Sequence, residues 1–199
     1  VLSQHATAQQ FGAHTVITTP SGQPVIPAEL AVATRGTIGI PRVLNMFEHY
    51  PFWHSLLTHL GFSVELSPLS SKEIASLGSQ TIPSQSLCFP AKLTHGHLCY
   101  LAEHGIKRIF LPCVPRESSK ERFVEGDDSY ACPVVGGYPE ALKLNLKSTY
   151  PDLELFTPYV ALENDGSIIA ALQEIDPSLK KRAIKRAIEL ARTDLAQYH

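Results

Sequence analysis

Four short apolar runs alternate with stretches of helical period, and this alternation limits the possible folds more than any other feature. The runs occupy 37–40, 62–66, 108–111 and 153–156. After the first, apolar residues recur at Leu44, Phe47, Phe52, Leu56, Leu57 and Leu60, with Gly61 as the stop. Pro51 should divide that pattern into two short helices or one kinked helix, because proline lacks a donor and clashes with the preceding turn. A short helix is expected at 72–77, and a longer one from Pro90 to about His104, closed by Gly105. Strands separated by helices line up in parallel rather than as hairpins. The expected fold class is therefore α/β, a parallel sheet with helices on both faces, Rossmann-like or flavodoxin-like.

The remaining segments carry weaker patterns. Residues 1–35 hold turn-forming clusters such as Thr19-Pro20-Ser21-Gly22-Gln23-Pro24 and read as a linker or packing arm ahead of an α/β domain at 36–199. After Pro112 the chain looks like a loop as far as about Pro139, a length that points to function. A helix is expected at 140–146 and the clearest one at 177–197, with Ile184, Ile188, Ala191 and Leu195 as its apolar stripe. Its Lys180, Lys181, Arg182, Lys185 and Arg186 read as a solvated face.

Charge and composition exclude several classes. Seventeen Lys and Arg against nineteen Asp and Glu leave a formal charge of −2, without the basic footprint of a nucleic-acid binder. No apolar run approaches a membrane span. Four cysteines between 88 and 132 do not form a secreted disulfide framework, so a reducing, cytoplasmic setting is expected. The start at Val1, without a basic and apolar leader, suggests a segment of a longer protein.

Three of those cysteines share a local grammar: Cys88-Phe89-Pro90, Cys113-Val114-Pro115 and Cys132-Pro133. Proline stiffens each turn and can fix a thiolate's direction. Cys88 precedes a helix start, where N–H groups favour a thiolate. Cys113 lies just past a strand's carboxyl end, where parallel sheets collect ligands. Cys132 leads into Gly136-Gly137, which would let backbone approach a bulky ligand closely. Such soft ligands suit an iron–sulfur cluster, but their spacing matches no compact ferredoxin run, and three small buried hydrophobes are the alternative that the residues alone favour. Cys99, in mid-helix, belongs to the core. His95 and His97 should point to nearly opposite sides of their helix, and no HExxH, close CxxC, GxSxG or phosphate-loop motif is present.

A longer series of words carries a resemblance. Ile38-Gly39-Ile40-Pro41-Arg42-Val43-Leu44-Asn45-Met46-Phe47-Glu48, then Tyr50-Pro51-Phe52-Trp53, Ser67-Pro68, Ser70-Ser71-Lys72-Glu73 and Cys88-Phe89-Pro90-Ala91-Lys92-Leu93-Thr94-His95-Gly96-His97 stand in order, followed by the words at Cys113 and Cys132. Over about 36–140 this series resembles the 2-hydroxyacyl-CoA dehydratase activase-related proteins, long bacterial chains with ATPase modules and a dehydratase-like region. The resemblance implies a fold like that of a dehydratase subunit domain. It also implies an oxygen-labile iron–sulfur cluster of the 4Fe–4S kind on Cys88, Cys113 and Cys132. Beside such a cluster Arg42, Lys92 and His95 are expected to supply positive charge or hydrogen bonds, to it or to an anionic substrate.

The implied role is low-potential electron transfer in a dehydratase and activase system. Its partners would be the ATPase modules, the dehydratase-like region and an acyl-CoA or related small substrate. The chain contains no ATPase phosphate loop, so ATP would act only through modules outside it, and autonomous activity is not expected. The alternatives are a metal-free docking or structural domain of the same parent protein, and a structural zinc site on the same thiolates.

Overall fold

The computed structural model describes residues 8–11, 14–17, 35–117 and 130–198, with side-chain surroundings described for 35–117 and 130–196. Two strands, β1 (Ala8–Phe11) and β2 (His14–Ile17), pair antiparallel within the segment expected as a linker or packing arm. The rest is the α/β unit. Strands β3 (Thr37–Ile40), β4 (Ser63–Leu66), β5 (Arg108–Phe110) and β6 (Glu154–Phe156) form one all-parallel sheet in the order β4-β3-β5-β6. This is the Rossmann-like or flavodoxin-like arrangement that the alternation of runs predicts.

The order reverses at β3: the chain steps one way to β4 and then back across β3 to β5. Right-handed crossovers turn that reversal into two helical layers. Helix α1 (Met46–His59) covers one face with α5 (Asp165–Ile175) and α6 (Lys181–Tyr198). Helices α2 (Lys72–Leu77), α3 (Phe89–Glu103) and α4 (Pro133–Lys147) belong to the other, beside a 3-10 turn at Ser79–Thr81. Trp53 of α1 meets Phe110 of β5 edge-on, with ring centroids 4.8 Å apart. Burying each such ring stabilises the fold by about 2–3 kcal/mol. Ile38, Ile40, Leu98, Ile109, Ile168, Leu172 and Ile188 are also fully buried.

Four expectations need correction. Of the two outcomes expected at Pro51, two short helices are excluded: α1 is one helix from Met46 to His59. The missing donor falls in the second turn, and the carbonyl it would have served belongs to Phe47, which is exposed and can be solvated. The long loop ends at Cys132 rather than near Pro139: Pro133 opens α4 at a position where proline's fixed φ is favourable, so the helix starts seven residues before the expected 140–146. Helix α5 was absent from the expected pattern; Asn164 caps it through Gly166 and Ser167 N–H, and Ile168, Ile169, Leu172 and Ile175 bury its inner side. The last helix begins at Lys181 rather than 177, because Asp176 accepts from Ser178 N–H and shapes a turn there.

Two glycines determine how α3 sits. A Cβ on Gly96 would lie 1.9 Å from the Ile74 carbonyl oxygen, and one on Gly78 would lie 2.3 Å from Gly96 N. Only bare backbone on both sides allows α2 and α3 to approach this closely. Gly96→Ala is expected to destabilise the protein by about 3 kcal/mol, at the upper end for overpacking. Urea unfolding of the two proteins would check this, and equal midpoints would contradict the packing described.

Candidate functional site

In a parallel sheet ligands gather outside the carboxyl ends of the strands, at the point where the strand order reverses. Here that point lies between β3 and β5. It is flanked by Pro41–Asn45 and by the segment from Leu111 to Glu117. Leu44 holds a positive φ of 53°, a conformation that costs a branched residue energy. The Nδ2 of neighbouring Asn45 is buried without a hydrogen-bond partner among the described residues.

All three proline-associated cysteines fall at this edge and on one face of the sheet. Cys88 is the N-cap of α3 and Cys132 the N-cap of α4; neither uses its side chain as a cap, and both are exposed. Cys113 extends β5 by a parallel bridge to Tyr159, donating its N–H to Pro158 and accepting from Val160 N–H. Strand alternation places Cys113 opposite to Phe110, hence on the side covered by α3 and α4. All four cysteines are free thiols.

Cys113 and Cys132 meet the same side of α4. Cys132, Gly136 and Glu140 recur every four residues and therefore share a face. A Cβ on Gly136 would stand 3.4 Å from Pro115 Cα, and Val114 N–H donates to the Val135 carbonyl. Gly136 thus admits the 112–115 segment, not the bulky ligand expected of it, while Gly137 faces open space. The Cys113 thiol is fully buried at the level of Glu140; burial pushes its pKa up, opposed by a backbone hydrogen bond from Glu140. Cys88 and Cys132 are therefore solvent-facing, whereas Cys113 lies beneath α4. No three of these sulfurs form a set within 4.8 Å, the spacing a single ion would need, among the described residues. Cys99 is buried in the core as expected, and burial raises its pKa.

The three residues expected beside the cofactor are all engaged within the protein. Arg42 donates from Nε to the Ser67 carbonyl at 2.5 Å and lies over the Tyr50 ring. Lys92 donates to the Gln85 carbonyl at 2.8 Å. His95 is fully buried: its Nδ1 lies 2.8 Å from Thr81 Oγ1 and its Nε2 2.7 Å from the Tyr138 hydroxyl. His97, on the other side of α3, bonds Ser67 Oγ at 2.7 Å and Ser70 Oγ at 3.0 Å. The two histidines thus tie α3 to the segment after β4, to the 3-10 turn and to α4.

Sequence reasoning missed Tyr138, which lay inside the expected loop, and Thr81. Ser67 and Ser70 stood in the resembling words without a role. It also gave no shared role to Glu48, His49 and Glu117, whose ligand-type atoms lie within 4.8 Å of one another at the switch point. There the imidazole of His49 already pairs with Glu117.

Burial lowers the pKa of both His95 and His97 to about 4, with Arg42 adding to the effect at His97. Each side chain binds a proton more readily in the unfolded chain, near pH 6.5. Stability is therefore full above about pH 6.5 and falls as the pH drops toward 4, by about 1–3 kcal/mol per histidine. Urea unfolding between pH 7 and 4.5 should show this slope, and His97→Asn should flatten it. A slope unchanged in the variant would contradict the assignment.

No helix among the described residues is long and apolar enough to cross a membrane. Neither the curated proteins nor the solved structures give a match to the chain. A family model does match, beginning at the first residue of β3 and running through residues 37–199. The chain belongs to the family described as the CoA enzyme activase uncharacterised domain.

Proposed function

We propose that this activase-related domain holds an iron–sulfur cluster through Cys88, Cys113 and Cys132 and passes low-potential electrons within an ATP-driven activating system. The observation that carries the reading is the placement of three free cysteines from three separate segments on one face and one edge of the sheet. Soft thiolates are the ligands such a cluster takes. Two of them stand at helix starts, where the helix dipole offsets the negative charge of a thiolate-bound group. The donor set fits the group chemically. Cys113 joins it only if its thiol is turned out from beneath α4. When bound, the cluster would supply one-electron chemistry, and the chain's own residues would hold and orient it.

Other features of the same edge favour a second role, docking. Phe47, Leu69, Phe89, Tyr130 and Tyr159 all follow the carboxyl ends of strands or lie beside that edge, and all five are exposed. Exposed apolar side chains gathered near one edge mark a surface suited to covering by another protein. The ATPase and dehydratase-like modules of a parent protein, or an acyl-CoA substrate, would approach here. Under the metal-free docking alternative the same edge would bind its partner without iron.

Anaerobic reconstitution with ferrous iron and sulfide separates the two. Cys88→Ala, Cys113→Ala and Cys132→Ala should each lose most of the bound iron and its visible charge-transfer absorption, while Cys99→Ala keeps both. Circular dichroism would confirm that the buried-site variant Cys113→Ala remains folded. Equal iron in all four variants, or none in the unaltered protein, would contradict the cluster.

A further inference from the structure

We propose that Glu48, His49 and Glu117 form a binding site for one divalent transition-metal ion of the zinc or ferrous type, at the point where the strand order reverses. The site uses none of the three proline-associated cysteines and does not rest on the cluster reading above.

The sheet topology joins two segments here. Glu48 and His49 stand in the first turn of α1, which follows β3, and Glu117 lies in the segment that follows the neighbouring strand β5. His49 Nε2 bonds the Glu117 carboxylate, and the ligand-type atoms of all three residues lie within 4.8 Å of one another. Ligand atoms around one zinc-sized ion stand about 3–4 Å apart. Glu48 is exposed and its carboxylate is free to rotate, so a small movement of that side chain closes the set.

Charge gives the first reason to expect a cation. Two carboxylates at this separation repel each other, and one imidazolium can offset only one of them. The His49–Glu117 pair therefore leaves the charge of Glu48 to the helix dipole, which supplies about half a unit. A divalent ion held by both carboxylates and a neutral imidazole brings the whole set to zero net charge.

Helix spacing gives the second reason. Asn45 already has helical backbone angles, φ −66° and ψ −19°, so Asn45, Glu48 and His49 stand at i, i+3 and i+4 and share one face at the start of α1. The Asn45 side chain does not cap the helix, and its Nδ2 is buried without a hydrogen-bond partner among the described residues. An ion with three protein ligands keeps a further position for water or an anionic oxygen. That oxygen is an acceptor of the kind Nδ2 lacks, and such contacts behind the ligands orient what the metal binds.

Donor chemistry selects the ion. Magnesium and calcium take oxygen ligands, whereas an imidazole nitrogen beside two carboxylates suits zinc, ferrous iron or cobalt.

The test is cobalt(II) binding to the full chain, stripped with chelator and carrying Cys88→Ala and Cys132→Ala to remove the two exposed thiols. Visible absorption and competition by zinc give the affinity. This protein cannot hold the proposed cluster, so its result is separate from the fate of that reading. One cobalt ion per chain is expected, with the weak bands of nitrogen and oxygen ligation. Adding Glu48→Gln, His49→Ala or Glu117→Gln should weaken binding by at least about tenfold, as loss even of groups behind the ligands does. Glu73→Gln, which alters an exposed carboxylate on α2, should leave the affinity unchanged, and excess magnesium should not displace the cobalt. Glu48 is exposed, so Glu48→Gln decides the matter if circular dichroism shows either other variant unfolded. Absence of cobalt binding, an affinity unaltered by Glu48→Gln, or ready displacement by magnesium would overturn the inference.

Discussion

The reversal of strand order at β3 is the constraint on which the rest of the structure depends. Because the chain moves from β3 to β4 and back across to β5, α1 lies on one face and α3 and α4 on the other. The starts of α1, α3 and α4 then stand at the carboxyl edge, and the segment after β5 lies below the last two. No local preference of Cys88, Cys113 or Cys132 would bring these residues to one side of the molecule. Parallel pairing does so, as each helix must return the chain to the opposite edge before the next strand begins.

Around that edge the protein relies on neutral, fully bonded histidines more than on charge. His95 and His97 point to different sides of α3, and each has a hydroxyl partner at both ring nitrogens. A buried imidazole is tolerable in this form because both nitrogens are satisfied without a charge. The arrangement also fixes the 3-10 turn and α4 relative to Cys88. Gly78 and Gly96 let these elements come close enough for such short bonds to form.

Much of this was legible in the sequence. The runs at 37–40, 62–66, 108–111 and 153–156 are strands because each is short, apolar and bounded by a turn residue or a helix, and those boundaries are local signals. The expectation of a helix start after Cys88 was correct because Pro90 favours the first turn. The same residue type misled at Pro139, which sits inside α4, and at Pro51 only for the expectation of two helices, since α1 is one. Packing of the apolar faces outweighs the one hydrogen bond that each proline removes. Helix α5 escaped notice although Asn164 is an ordinary cap, as the polar residues around it resemble a loop. His95-Gly96-His97 offers no chelating pair, as its spacing predicts; its glycine serves helix contact and its histidines serve hydroxyls. What single-chain periodicity could not reveal was the burial of Cys113 under α4, since that depends on the 112–115 segment fitting against Gly136.

On the proposed reading, cysteines distant in the sequence share one site at the carboxyl edge of the sheet. Anomalous diffraction at the iron edge, from crystals of the reconstituted protein grown without oxygen, tests this most directly. The expected result is an iron peak between the starts of α3 and α4, within bonding distance of Cys88, Cys113 and Cys132. Iron bound on another face, or held without one of these three thiols, would contradict it.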